Sequence, residues 1–308
     1  MFKATEIKRL LIFGLIVIVL AFSMKALAQK APNVRFTLDV LSLGSKNASA
    51  VALQSDAVDI ILTDWLWVNR QRGNGKDITL FPASIATGGL YVPNDSSVMD
   101  VRGLVNKKVG IAGGEVDKNW LLLQAYAKPS FMSPVLLNVL MLRGELDGGI
   151  NFWHYGARLK AKGYRLLVTV PEMLKALHIE HDVPLLGWAF KKPWAEQHTN
   201  SIKGFLRASL EAKQILYSSD DEWARIRGLT KAEDEEVFAS LKTEYRRGLL
   251  RQFGPQELTA TKKTFTVLAQ QGGHSLVGNA TSLDEHTFYA LDQQLLTLIP
   301  AVVDENAQ

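Results

Sequence analysis

The 308-residue chain contains no cysteine. This absence excludes disulfide scaffolds, thiolate zinc sites, cysteine nucleophiles, iron–sulfur ligation and lipid attachment to a cysteine. The chain also has little excess of one charge over the other, because 35 basic and 31 acidic side chains leave a net charge of only +4. Beyond residue 28 the balance falls to 31 basic against 30 acidic side chains. Proteins that bind nucleic acid concentrate basic charge on one surface, so we expect no nucleic-acid partner.

The first 28 residues have the three-part pattern of an export signal. Lys8 and Arg9 precede an apolar run over Leu10–Phe22, and the small-residue motif Ala26-Leu27-Ala28 follows. The apolar run has about 13 residues, fewer than the roughly 20 that cross a bilayer as a helix, so a cleaved signal is favoured over a membrane anchor. We expect cleavage after Ala28 and a periplasmic mature protein.

Strand patterns alternate with helix patterns through the middle of the chain, and helical spacing dominates from Pro193 onwards. Short apolar or β-branched runs predict strands at Val34–Leu43, Val58–Thr63, Thr79–Val92, Lys108–Ala112, Leu146–Phe152, Arg165–Thr169 and Pro184–Phe190. Helices are predicted at Lys46–Gln54 with Ser45 as its cap, about Asp117–Ala127, Val135–Arg143, Asn200–Tyr217, Asp220–Arg227, Ala232–Tyr245 and Gln256–Gln271. This order predicts an α/β fold with mainly parallel sheets.

Three clusters of polar and aromatic residues follow predicted strands, where α/β sheets bind ligands at their carboxyl ends. They are Thr63–Trp67, Ala112–Trp120 and Asn151–His154. The candidate ligand-binding residues are Asp64, Trp65, Ser84, Thr87, Gly114, Asp117, Lys118, Asn119, Asn151 and Trp153. The alternative is structural: tryptophans that pack in the core, an aspartate that caps a helix after an ordinary glycine turn, and a surface histidine.

The sequence contains few signs of a catalytic, cofactor-binding or metal-binding motif. The chain has no phosphate-binding loop, no dinucleotide fingerprint and no serine in a nucleophile elbow. His178 and His181 flank Glu180 at a spacing that suits one helix face, but no third ligand accompanies them, so solvated helix-end histidines are favoured. Three recognition clusters without a nucleophile or a cofactor motif indicate binding without catalysis. We therefore expect no enzyme activity, no cofactor and no metal.

Several segments resemble periplasmic substrate-binding proteins of ABC importers, most closely those of the nitrate/sulfonate/taurine type. The resemblance rests on Lys46–Gln54, Asp59–Val68, Gly110–Gly114, Gly144–His154, Pro184–Gly187 and Phe205–Ser209, and it covers roughly residues 36–290. Each segment alone is unspecific, but their order and spacing together are typical of this family.

The resemblance implies a type II periplasmic-binding-protein-like fold with two lobes, a hinge and a ligand cleft between them. Residues 29–88 plus 188–308 would form lobe 1, and residues 89–187 would form lobe 2. The cluster with Asp64 and Trp65 would face the cleft from lobe 1, and the other two clusters would face it from lobe 2.

Family members begin with a strand and a helix that this chain lacks after its signal segment, so the first strand and helix of lobe 1 are expected to be missing. The resemblance implies a monomeric solute receptor that captures a small organic or anionic solute and delivers it to an inner-membrane permease with its ATPase. The alternatives are a periplasmic ligand sensor, a degenerate binding protein that no longer serves transport and, least favoured, an enzyme on the same fold.

Overall fold

A computed structural model describes residues 7–12, 38–42, 45–112, 117, 120–121 and 128–289. Their backbone forms two five-stranded sheets with helices packed around them. The chain crosses between the sheets twice, at residues 85–88 and again before residue 186. The α/β fold predicted from the sequence is confirmed.

The first sheet has the strand order β2-β1-β3-β10-β4. Its strands are β1 (Ile7–Ile12), β2 (Leu38–Ser42), β3 (Ile60–Asp64), β4 (Ile78–Ser84) and β10 (Leu186–Lys191). β1 pairs in parallel with both β2 and β3, whereas β10 runs antiparallel to β3 and β4. Strand β10 is therefore the one strand of this sheet that runs against the others.

The second sheet repeats this arrangement with the order β7-β6-β8-β5-β9. Its strands are β5 (Gly89–Pro93), β6 (Lys108–Ala112), β7 (Lys128–Met132), β8 (Gly148–Asn151) and β9 (Tyr164–Thr169). β6 is parallel to β7 and β8, and β5 is antiparallel to β8 and β9. In both sheets the reversed strand is the first one that the chain forms after it crosses over.

The expectation of mainly parallel sheets is confirmed, because four of the five strands in each sheet run in one direction. One strand in each sheet runs against the others, so both sheets are mixed. Only residues 85–88 separate β4 from β5, so the chain passes from the first sheet to the second without an intervening helix.

Ten α-helices lie within the described residues. They are α1 (Lys46–Gln54), α2 (Trp65–Gly73), α3 (Pro134–Leu142), α4 (Trp153–Ala161), α5 (Val170–Ala176), α6 (Lys192–Gln197), α7 (Thr199–Ser218), α8 (Asp220–Thr230), α9 (Glu235–Arg247) and α10 (Pro255–Val277, broken at Gly273). None of the helices in this part of the chain is both long and apolar enough to cross a bilayer.

Helix starts follow the sequence signals closely. The Ser45 hydroxyl accepts a hydrogen bond from the backbone N–H of Ala48, as predicted for α1. Thr169 and Glu172 form a reciprocal capping box at the start of α5. Such caps satisfy backbone N–H groups that have no partner within the helix. They fix where the chain turns from each strand end into the following helix.

The first strand is the main departure from the sequence analysis. Lobe 1 is expected to lack it, yet Ile7–Ile12 occupies the place between β2 and β3. This segment lies inside the predicted export signal. A short apolar run suits a buried strand as well as a signal core, and the local pattern alone does not separate the two. The expected absence of a first helix concerns residues outside the described part of the chain.

Removal of β1 tests this placement. A chain of residues 29–308 should melt at a temperature roughly 10 °C or more below the full chain, because the sheet loses a strand paired on both edges and each kcal/mol corresponds to about 2–4 °C. A chain that lacks only residues 1–6 keeps β1 and is the matched control. Differential scanning calorimetry of the three chains makes the comparison. Equal melting of all three would contradict the placement of β1.

Candidate functional site

The crossover from the first sheet to the second is the tightest backbone contact near the predicted site residues. A Cβ atom on Gly88 would lie 2.1 Å from the Asn151 carbonyl oxygen and 2.8 Å from the Trp153 nitrogen. Gly88 also has φ of +78°, which L side chains rarely adopt. The crossover therefore rests directly on the end of β8. Thr87, next to Gly88, lies beside the third predicted cluster.

Ser84 secures the other end of the crossover. Its hydroxyl donates to the Gly248 carbonyl at 3.0 Å and accepts from the backbone N–H of Ala86. The same Gly248 carbonyl accepts from the N–H of Ile85 at 3.0 Å. Ser84 and Leu249 also form a β-bridge. The segment after α9 is thus attached to the crossover, so three stretches of chain meet there.

Asp64 and Trp65 lie where β3 passes into α2. The Asp64 carboxylate caps α2 by accepting from the Trp67 N–H at 2.8 Å, and it forms an ion pair with Lys46. Trp65 is buried in an apolar cluster with members from both predicted lobes. Within the described residues its indole N–H has no hydrogen-bond partner. A buried donor without a partner costs free energy, so a partner from outside the chain would stabilise this site.

The apolar cluster around Trp65 joins the two predicted lobes. Its members from the second lobe include Leu121, Val170 and Leu174, next to Leu268 of α10. Asp117 caps the helical turn that carries Leu121, because its carboxylate accepts from the Trp120 N–H at 3.1 Å. The alternative role of Asp117 as a helix cap is therefore present in the structure. The second predicted cluster therefore ends next to Leu121, which packs in the same apolar cluster as Trp65.

Asn151 is buried at the end of β8 and holds neighbouring elements together. Its amide nitrogen donates to the Pro134 carbonyl at 3.0 Å and to the Asn138 side-chain oxygen at 2.8 Å. Its side-chain oxygen accepts from the Phe152 N–H at 2.8 Å. These bonds direct the amide towards α3. Its role towards a ligand stays a prediction.

Trp153 and His154 begin α4 and pack against aromatic rings. Trp153 lies 5.7 Å from the His154 ring and 6.2 Å from the Tyr245 ring of α9, centre to centre. Burial, with a contribution from the Arg158 guanidinium, lowers the pKa of His154 to about 4. The imidazole is therefore neutral at pH 7 and offers one donor and one acceptor.

Helix α9 is joined to α4 by polar contacts along its length. Lys160 pairs with Glu244 at 2.6 Å, and the Ser240 hydroxyl donates to the Ala157 carbonyl at 2.7 Å. Two further ion pairs, Arg158 with Glu233 and Lys162 with Asp234, extend the contact. A helix from the predicted lobe 1 tail is thus fastened to the predicted lobe 2.

Gly114, Lys118 and Asn119 lie outside the described residues. The other predicted site residues fall into two groups: Asp64, Trp65 and Asp117 at the apolar cluster, and Ser84, Thr87, Asn151 and Trp153 at the crossover. His178 and His181 are both exposed, and His178 lies beyond the end of α5 with φ of +59°. The described residues contain no group of three or more side chains suited to hold a metal ion.

Two polar residues near the crossover escaped the sequence analysis. Lys213 of α7 is buried, and its ammonium donates to the Ala83 carbonyl at 2.6 Å. Tyr245 of α9 is buried, and its hydroxyl has no partner among the described residues. The available signal was Lys213 itself, a charge on the apolar face of a predicted helix between Leu210 and Leu216.

The described residues define the fold of a two-sheet, type II periplasmic-binding-protein-like molecule. No family model matches the sequence, and no curated protein matches it significantly. Solved structures do match. The periplasmic aliphatic sulphonate-binding protein SsuA from Escherichia coli has a TM-score of 0.70 at 16% identity, over 94% of this chain and 96% of that one.

Two other solved structures resemble the chain to a similar degree. The alkanesulfonate-binding protein SsuA from Xanthomonas axonopodis pv. citri, bound to MOPS, has a TM-score of 0.69 at 15% identity, over 94% of this chain and 99% of that one. The ligand-binding component of an ABC-type import system from Staphylococcus aureus has a TM-score of 0.67 at 14% identity, over 97% of this chain and 99% of that one. At these identities the likeness shows the fold, and it confirms the predicted fold class.

Two glycine substitutions distinguish the effect of close packing at Gly88 from the effect of a left-handed backbone alone. Gly88→Ala should lower the free energy of unfolding by about 3 kcal/mol, because it adds overpacking against Asn151 to the cost of a left-handed backbone. Gly75→Ala has nearly the same φ, +76°, with no atom within 4 Å of the new Cβ, and should cost about 1 kcal/mol. Urea unfolding measures both, and equal losses would contradict the close contact.

Proposed function

We propose that this protein is the solute-binding receptor of an ABC importer. The observation that carries the proposal is the crossover at Gly88, where two sheets of the same topology meet with buried polar groups on both sides. Solute binding between two such sheets, followed by their closure, is a common hinge mechanism. The likeness to sulfonate-binding and import-system proteins supports the same reading.

The predicted solute is a small organic or anionic molecule. Trp65 and Trp153 supply flat apolar surface, and the Trp65 indole N–H, which has no partner among the described residues, supplies a directional donor. A few placed polar groups on an apolar lining are typical of small-molecule sites. Asp64, Ser84, Thr87, Gly114, Asp117, Lys118, Asn119, Asn151 and Trp153 stay candidates for the remaining contacts. The partners in this proposal are an inner-membrane permease and its ATPase, and the receptor acts as a monomer.

The location in this proposal is the periplasm, reached through the signal in residues 1–28. Cleavage after Ala28 would remove β1 from the first sheet, since β1 lies within that signal. The mass of the exported protein distinguishes the two forms. A mass for residues 29–308 means a first sheet without β1, and an intact mass means that β1 stays in the folded protein.

Catalysis is the main alternative to a binding function. One less similar structure is an enzyme, the desulfurization enzyme DSZB, with a TM-score of 0.56 at 12% identity. Any catalysis by this chain would need a nucleophile other than cysteine, since it has none. Recovery of the bound solute unchanged after prolonged incubation favours the receptor, and a released product favours the enzyme. A receptor also stimulates its transporter's ATPase, whereas a sensor does not.

A thermal-shift panel tests the receptor. Alkanesulfonates, small carboxylates, MOPS and pyrimidines are added to the purified chain, and a solute at a hundredfold excess over Kd should add about 2.7 kcal/mol of stability.

One substitution tests the role of Trp65. Trp65→Phe keeps most of the packing but removes the indole N–H. It should weaken binding of the identified solute at least tenfold, about 1.4 kcal/mol, with little loss of stability.

Trp188→Phe is the matched control for that substitution. Trp188 is equally buried, but its indole N–H donates to the Ser209 hydroxyl at 2.7 Å. Loss of this hydrogen bond in Trp188→Phe should lower the free energy of unfolding and leave solute affinity unchanged. Trp65→Phe should show the opposite pattern. Absence of any saturable shift across the panel argues against the receptor. Unchanged affinity in Trp65→Phe removes the indole N–H from the site.

A further inference from the structure

Strand β1 is the sole link between β2 and the rest of the first sheet among the described residues. The strand order β2-β1-β3 places β2 at the edge, and β2 has no other strand beside it in this part of the chain. Without β1, β2 and one edge of β3 would keep backbone N–H and C=O groups without partners. The first sheet therefore has a gap between β2 and β3 that one extended strand fills.

Buried residues border this gap. Leu38 of β2 and Ile60 of β3 belong to one apolar cluster, and Ile61 of β3 belongs to the cluster around Trp65. Ile60 and Ile61 are adjacent in the strand, so their side chains point to opposite faces of the sheet. A strand in the gap thus lies between buried neighbours on both faces, and a nearly continuous apolar run suits such a position.

The chain's own segment Ile7–Ile12 fills the gap in the structure. Leu10 and Leu11 are in register with residues of both neighbouring strands, and both pairings are parallel. Residues 13–37, which separate β1 from β2 along the chain, lie outside the described residues. Backbone groups make these pairings, so they do not require that the strand belong to the same polypeptide.

We propose that the gap between β2 and β3 is a binding site for a separate peptide strand, and that Ile7–Ile12 binds there in trans once it has been cut from the chain. Hydrolysis after Ala28 adds water across that peptide bond and leaves Ile7–Ile12 on a separate fragment. The inference goes beyond solute binding and does not depend on it. An export signal is removed from the mature protein, so a chain exported without residues 1–28 would carry this site open.

A cut in the folded full chain tests whether the strand stays in place. A protease site is inserted directly after Ala28, outside the described strands, and the purified chain is cut after it has folded. The fragment should elute with the remainder of the chain in size-exclusion chromatography. Its amides at Ile7–Ile12 should exchange with deuterium roughly tenfold or more slowly than those of the free fragment, because strand pairing protects backbone N–H groups.

Two results of this experiment overturn the proposal. The first is a fragment that elutes separately from the cut chain. The second is a fragment that co-elutes but exchanges at the rate of the free fragment, since that means apolar adhesion without strand pairing. Slow exchange in a co-eluting fragment supports the proposal, whether or not the receptor binds any solute.

A labelled peptide tests binding in trans without a change to the strands of the protein. A fluorescent peptide of residues 5–14 is added in excess to the cut chain, where it should bind with saturation and displace the fragment. The uncut chain is the control. It should bind the peptide roughly tenfold or more weakly, because its tethered strand competes at a high effective concentration. Equal binding to both chains, or no binding to the cut chain, overturns the proposal.

Two peptide variants test the pairing itself. Leu11→Pro removes an N–H within the paired strand and should lower the affinity for the cut chain roughly tenfold or more. Thr5→Pro makes the same change before the strand begins and should bind like the parent peptide. Equal affinity of the two variants would contradict pairing through Ile7–Ile12.

Discussion

The close approach of Gly88 to the end of β8 is the constraint on which the rest of the arrangement depends. A side chain at that position would overlap the Asn151 carbonyl, so the chain can cross between the sheets at this distance only through glycine. Ser84 and Gly248 fix the first sheet's end of the same crossing. The strand that follows each passage between the sheets, β5 on the way out and β10 on the return, runs against the other strands of its sheet.

A third connection limits how the sheets can move. Helix α9 is fastened to α4 by ion pairs and by the Ser240 bond, while the residue after it is tied to Ser84. The link between α8 and α9 is also attached to α4, because Arg158 donates to the Thr230 and Lys231 carbonyls. If the two sheets close as proposed, we therefore expect α9 to move with the second sheet.

Local sequence signals predicted most helices and strands because periodicity and capping are local properties. The Ser45 cap, the helix at Lys46–Gln54 and the strand at Lys108–Ala112 lie where the sequence places them. Strand direction and β1 depend on contacts between distant residues, which periodicity does not record. The described strand-end residues gather at two places, and their binding of a solute stays a prediction. Lys213 and Tyr245 come from helices whose packing partners are unknown from sequence. Lys213 was detectable only as a charge on an apolar helix face.

One distance measurement tests most directly the claim that the two sheets close on a solute. Since the chain has no cysteine, Lys76→Cys and Arg143→Cys give two unique labelling sites. Both are exposed and lie where helices α2 and α3 have run back from the crossover to the far sides of their sheets. Pulsed electron spin resonance between the two labels should give a shorter and narrower distance distribution at saturating solute. An unchanged distribution, with a solute whose binding is measured on the same labelled protein, would contradict the account.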